Sequence, residues 1–272
     1  MVYADNYNKE SEQLVRRVKV FGNGAHISVP RDWIEQEVIL IKKPKKSVKE
    51  RIFSVIGPYL ENIIGVYIYG SYSRGEENQD SDIDLLVITN KKIKIKSKGF
   101  EIHCIEESKF DKIIKLEPLI IYSMLSEAKV IINPKLLEEL REKYKPKISN
   151  FKDFIESSKR MINISKELLE ADKSESDYSS KAVPYSLVLR LRGIFIINSL
   201  SKNKNYSYKE FKEWVKKNLP EIEFNKIYEL YLSSKNKKET KIKVKTDDLV
   251  KLLEFLEKEV RNLDNGKKTK KA

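Results

Sequence analysis

The stretch Tyr69-Gly-Ser-Tyr-Ser-Arg-Gly-Glu-Glu-Asn-Gln-Asp-Ser-Asp-Ile-Asp-Leu-Leu-Val-Ile88 decides how this chain is read. It begins where a near-continuous apolar, β-branched run over 63–69 stops, the pattern of a strand buried on both faces. Gly70-Ser71 then turns sharply, and a short helical turn follows. Backbone N–H groups that approach a triphosphate closely need a residue without Cβ, which Gly70 supplies. Ser71 adds a hydroxyl for the same phosphates, and Arg74 a fixed positive charge. Asp82 and Asp84 stand at i and i+2 on the next strand, 82–89. Both carboxylates therefore point to one face, and Ile83 points into the core. Two neighbouring carboxylates repel unless a cation sits between them, and magnesium, a hard ion that takes oxygen ligands, suits the pair. Two such ions would activate an attacking hydroxyl and stabilise leaving pyrophosphate.

Around this loop the sequence predicts a helix at 47–59, capped by Ser47, with Val48, Ile52, Val55 and Ile56 on one face. Segments 91–96 and 100–105, joined by Ser97-Lys98-Gly99, read as a hairpin. Residues 107–127 are mostly helical in pattern, and 129–132 is a short strand stopped by Asn133-Pro134.

Gly70-Ser71, Arg74-Gly75 and Ser81-Asp82-Ile83-Asp84 resemble the nucleotidyltransferase superfamily of DNA polymerase beta, the CCA-adding enzymes and the small archaeal and bacterial nucleotidyltransferases. The resemblance covers about 48–132. It implies a mixed sheet flanked by helices, two magnesium ions, and transfer of a nucleoside monophosphate from a nucleoside triphosphate. It also implies a third acidic residue on a neighbouring strand. The matching strand, Lys98-Gly-Phe-Glu-Ile-His-Cys-Ile105, carries His103 where the CCA-adding enzymes carry the acid. Three readings follow: Glu101, on the same face, substitutes; His103 acts as base or ligand; or catalysis is weak or lost. An ordinary half-exposed strand, with Glu101 and His103 turned outward, is the reading without chemistry.

On the N-terminal side, 15–21 and 25–29 read as strands joined by the turn Gly22-Asn23-Gly24, and 37–43 as a third. Residues 15–43, with Phe21-Gly-Asn-Gly-Ala-His-Ile-Ser-Val-Pro30, resemble the swapped-hairpin domains of AbrB-type transcription factors and antitoxins. That resemblance implies an intertwined homodimer that binds DNA, with Arg16, Arg17, Lys19 and Arg31 as phosphate contacts. So small a unit buries no core alone, which also predicts a homodimer.

From Pro134 onward the period is helical, with helices at 134–143, 150–171, 182–201, 207–218, 221–234 and 246–264. In the last, Thr246 is the expected N-cap, and Leu249, Leu252, Leu253, Leu256, Val260 and Leu263 share a face. The run 187–197 reads as a buried helix in which Arg190 and Arg192 need partners. No arginine–histidine signature of a HEPN ribonuclease occurs, because no histidine follows position 103. The tail 266–272 is Lys-rich.

The 272 residues carry 54 Lys and Arg against 41 Asp and Glu, a formal net charge of +13. Such a surface attracts polyanions, nucleic acid first, although Lys- and Glu-rich compositions also mark proteins from hot environments. The single cysteine, Cys104, excludes an intramolecular disulfide and a cysteine-rich zinc site. The polar start shows no signal-peptide pattern and no run reaches the length of a membrane span, so a cytoplasmic protein is expected.

The sequence thus predicts an α+β chain in three parts: an N-terminal β-hairpin unit at 1–45, a mixed-sheet nucleotidyltransferase core at 46–133, and a C-terminal α-helical bundle at 134–272. The expected function is magnesium-dependent transfer of a nucleoside monophosphate to a hydroxyl of RNA, a protein or a small molecule. The alternative is a DNA-binding regulator or antitoxin with a degenerate or partner-modifying core. Asp82, Asp84 and Glu101 are the expected metal ligands, joined by His103 as catalytic candidates. Gly70, Ser71 and Arg74 are the expected nucleotide contacts.

Overall fold

A computed structural model of the chain describes residues 14–41, 46–78, 81–175, 178, 182–236 and 239–265. Contacts divide it into two units, Met1–Lys46 and Ser47–Ala272.

The first unit is an antiparallel hairpin of β1 (Lys19–Phe21) and β2 (Gly24–His26), joined through Gly22-Asn23. Both strands are shorter than the sequence predicts. Residues 37–41 form no strand, against expectation, and 42–43 lie outside the described residues. A strand is defined by a ladder partner, and among the described residues 37–41 have none. The apolar side chains that would line such a sheet stay exposed, among them Val20 (85%), Phe21 (72%) and Ile41 (84%).

The second unit opens with α1 (Val48–Ile56). Ser47 caps it in a reciprocal box: its hydroxyl accepts the Glu50 N–H at 3.2 Å, and the Glu50 carboxylate accepts the Ser47 N–H at 2.7 Å. The chain then runs through β3 (Ile63–Tyr69), the short α2 (Gly70–Arg74), β4 (Ile83–Thr89), β5 (Phe100–Glu106), α3 (Phe110–Leu116), α4 (Pro118–Glu127) and β6 (Lys129–Ile132). The sheet order is β5-β4-β3-β6, with β3 antiparallel to both β4 and β6, and β5 parallel to β4. The fold is therefore α+β around a mixed sheet, as the sequence predicts. The hairpin expected from 91–96 and 100–105 is not formed. The chain instead uses 90–99 to return to the start of the sheet, because a parallel β5 must begin where β4 begins.

Strand alternation gives the sheet two faces. Val66, Ile68, Ile83, Leu85 and Val87 pack against Ile52 and Ile56 of α1. Tyr67, Leu86, Ile88 and Ile105 join a larger buried cluster that continues into the C-terminal helices. Those helices are α5 (Pro134–Lys143), α6 (Lys152–Glu175), α7 (Ala182–Ser201), α8 (Tyr208–Asn218), α9 (Phe224–Lys235) and α10 (Thr246–Asn265). At the centre is α7, with Leu187, Val188, Leu191, Ile194 and Ile197 sealed from solvent. Among the described residues it is the one helix long and apolar enough to cross a membrane, and 56% of that stretch is buried within the fold. The predicted apolar face of α10 is buried as a whole. Thr246 does not cap it: the residue is buried, and its hydroxyl has no partner among the described residues.

Candidate active site

Sheet register assembles the site. Tyr69, the last residue of β3, is paired with Asp84 on β4, and Asp84 is paired with Glu101 on β5. Three strands thus bring Gly70, Asp84 and Glu101 abreast, and Asp82, exposed, lies just before β4 on the same side. Gly70 has φ +70°, and a Cβ there would stand 1.9 Å from Asp84 Oδ2. The space a side chain would take is filled by the carboxylate, so glycine is required twice over, for conformation and for room.

The carboxylates feel one another. Asp84 is pushed up to about 6, first by burial and then by the Glu101 charge; Lys235 and Arg74 oppose this, and Asp82 adds to it. Lys235, in the last turn of α9, is thereby within electrostatic reach of the site. The Tyr69 hydroxyl is held well above its usual range by burial, then by Asp84, Glu101 and Glu127. On β5, Glu101 stands beside Asp84, whereas His103 stands beside Leu86, one pleat deeper. The His103 ring nitrogen Nε2 lies 3.2 Å from Glu101 Oε1, and the ring meets Tyr69 edge-on at 6.2 Å. Among the three open readings of this strand, the register brings Glu101 to the paired carboxylates and gives His103 to Glu101 as a neighbour.

Arg74, whose charge reaches Asp84, is also held by two carboxylates. Its guanidinium is ion-paired with Glu127, the buried last residue of α4, and with Glu76 at 2.7 Å. It also lies over the Tyr206 ring at 5.2 Å. Glu127 accepts the Gly70 N–H at 3.2 Å, and its carbonyl accepts the Ser73 hydroxyl. Glu76 reaches the start of α8, accepting the Ser207 hydroxyl at 3.3 Å and the Tyr208 N–H at 3.1 Å. Arg74 and its carboxylates therefore brace the loop from behind, while Gly70 and half-buried Ser71 remain on the side of Asp84. Arg192 ends beneath the same stack, 5.2 Å from the Tyr206 ring and 3.4 Å from the Tyr231 hydroxyl. Arg190 bonds Ser157 at 2.9 Å.

Arg16, Arg17, Lys19 and Arg31 are all exposed on the first unit. Glu127, Glu76 and Lys235 escaped the reading of the sequence. For Glu127 a signal existed: it is the one acid inside the apolar run 118–128. Glu76 and Lys235 carry none, being ordinary charges in polar surroundings.

Among the described residues no three His, Cys, Asp or Glu side chains are drawn into a closed cation cage. The donor set nonetheless fits a hard divalent ion. It is made of carboxylate oxygens, and the burial and the Glu101 charge that raise Asp84 are both offset by such an ion.

Residues 50–136 match the family described as Polymerase beta, Nucleotidyltransferase. The matched span runs from α1 to the first turn of α5 and contains the loop, both aspartates and Glu101. Residues 50–136 thus form a domain of the nucleotidyltransferase type seen in polymerase beta. No curated protein matches the chain.

Proposed function

We propose that this protein transfers a nucleoside monophosphate from a nucleoside triphosphate to an acceptor hydroxyl, with magnesium held by Asp82, Asp84 and Glu101. The observation that carries this reading is the fit of Gly70 against Asp84, with Glu101 abreast on β5. A glycine at positive φ beside a carboxylate pair is what close approach of a triphosphate to its metal ligands demands.

In this mechanism Gly70 and Ser71 receive the phosphates. Asp82, Asp84 and Glu101 orient the reacting groups, and His103 steadies Glu101. The metal, when bound, supplies charge neutralisation at the phosphates and lowers the pKa of the attacking hydroxyl. Lys235 adds positive charge opposite Asp84. The basic composition favours RNA as acceptor over protein or small molecules. Residues 15–43 join two copies into a homodimer in a cytoplasmic setting.

The test is incubation with each α-labelled nucleoside triphosphate and magnesium, with total RNA and the protein itself as acceptors. Label transferred by wild type and lost in Asp82→Ala/Asp84→Ala supports the reading. Absence of transfer with magnesium and with manganese would sink it.

The second reading is a DNA-binding regulator with a silent core. The exposed Arg16, Arg17, Lys19 and Arg31 favour it, together with His103 at the position where the resemblance expects an acid. Salt-sensitive duplex binding without any transfer would support it, and duplex binding that survives removal of residues 1–45 would count against it.

A further inference from the structure

Between β4 and β5 the chain reads Lys91-Lys-Ile-Lys-Ile-Lys-Ser-Lys98. All five lysines of this segment are exposed, while Ile93 and Ser97 are half-buried and Ile95 is buried. From Lys92 on, lysine and inward residue alternate, the two-residue period of an extended chain. Lys92, Lys94, Lys96 and Lys98 thus stand on one side, about 6.6 Å apart at each step. Successive phosphates along a single nucleic-acid strand have a comparable spacing.

The segment is pinned along its length. The Thr89 hydroxyl donates to the Lys91 carbonyl at 2.8 Å, the Ile95 side chain is 3% exposed, and the Gly99 carbonyl accepts the Ile83 N–H at 3.1 Å. The lysines are therefore carried by a fixed backbone. None has a carboxylate within ion-pair distance among the described residues, in contrast to Lys109, Lys143, Lys159, Lys166, Lys173 and Lys226. Five like charges in eight residues, of which Lys92 is within electrostatic reach of Glu106, repel one another, and a line of anions relieves that repulsion. Lys94, Lys96 and Lys98 also line a groove of about 560 Å³ whose wall includes Glu101.

That groove fixes the relation to the chemistry. The Gly70 side of Asp84 belongs to β3 and α2, whereas β5 is the edge strand of the sheet among the described residues, with the Ile95 backbone set against its Cys104. A strand entering along the lysine row would meet Glu101 first, since that residue lines the groove. We propose that the row Lys91–Lys98 is the track for a single strand of nucleic acid whose end is delivered to Asp84 and Glu101. The track is non-sequence-specific, because its contacts are with phosphates and not base edges. This rests on the transferase reading for the meaning of the strand end, but not for the binding itself.

The experiment uses the full chain, labelled 20-nucleotide single strands of RNA and DNA, a duplex of the same sequence, and poly-glutamate as competitor. Anisotropy is followed against salt for wild type and for a variant with Lys91, Lys92, Lys94, Lys96 and Lys98 changed to Gln. Circular dichroism verifies that the variant is folded. Each phosphate contact contributes about 0.7 to the salt slope for single strands, so losing five reduces it by roughly 3–4. The expected result is that reduction, with affinity down at least tenfold at physiological salt; stronger retention of RNA or of DNA names the source of the strand.

Unchanged single-strand binding in the variant overturns the proposal. So does loss of binding on Arg16→Gln/Arg17→Gln/Lys19→Gln/Arg31→Gln instead, or poly-glutamate competing as well as RNA at equal charge. If the lysine variant loses single-strand binding while wild type transfers no label, the transferase reading fails and the track stands. If transfer proceeds with an unchanged acceptor KM in the variant, the track fails and the transferase stands.

Discussion

Gly70 and Asp84 define the site at the scale of single residues, since the second fills the volume the first leaves empty. That intimacy has an electrostatic consequence. The Asp84 carboxyl in the metal-free fold titrates at about 6, above the value of 3.8 for the free side chain, because it is buried and faces Glu101. A group whose folded pKa is raised contributes stability that is complete below its unfolded pKa. That stability is lost as pH rises through the folded one. At neutral pH the ionised Asp84 is thus a destabilising charge in metal-free protein. Asp84→Asn is expected to raise Tm by a few degrees in EDTA at about pH 8, with the difference closing by about pH 4. A thermal-shift series across pH checks this, and equal Tm values at pH 8 would mean that Asp84 ionises there without cost. This part of the site was legible in the sequence because Gly70 and Asp84 lie fourteen positions apart in one motif. The Glu127 contact to the Gly70 N–H was not, because its partner lies 57 residues away and only tertiary packing brings it in.

Among elements, the coupling between α2, α4, α7 and α8 runs through Arg74, Tyr206 and Arg192. Two guanidiniums lie 5.2 Å from one tyrosine ring, but their surroundings differ. Arg74 has two carboxylates, Glu127 and Glu76. Arg192 has tyrosine hydroxyl and ring contacts, and its Nε has no partner among the described residues. Breaking a buried ion pair strands a charge, whereas removing a poorly paired buried charge removes its desolvation cost as well. In urea titrations Glu127→Ala should therefore lose about 3–5 kcal/mol, while Arg192→Met should lose little or gain stability. Equal losses would show that Arg192 is held as firmly as Arg74. The sequence already marked Arg192 as a buried charge in want of a partner, because an arginine in so apolar a run has few other readings. Helix α5 was legible to the residue from Pro134 and its 3.6-residue period, and α7 from its long apolar run. The segment 91–98 was not, since alternation announces an extended chain but not whether a ladder partner exists. Here β5 takes β4 as its parallel neighbour and leaves the lysine row unpaired.

Across the whole molecule, the two units differ in how they treat apolar surface. The unit Ser47–Ala272 closes its core around β3, β4 and α7. The unit Met1–Lys46 leaves Val15, Val18, Val20, Phe21, Ile34, Ile39, Leu40 and Ile41 between 62% and 85% exposed. Eight large apolar side chains within 27 positions far exceed the scattered exposure of a free surface, and such a patch marks an interface. The proposed occupant is a second copy of the same segment: residues 37–41 carry strand-like alternation and lack a ladder partner among the described residues. Two copies exchanging edges would supply one. Light scattering across concentrations should give twice the 31.9 kDa protomer mass. Phe21→Asp/Ile41→Asp should shift the protein to monomer, because desolvating four carboxylates at a two-fold interface costs more than the apolar contact returns. Since neither residue belongs to the Asp84 site, label transfer per chain should persist in that variant. A wild type that stays monomeric at every concentration would assign the exposed apolar face to a different chain.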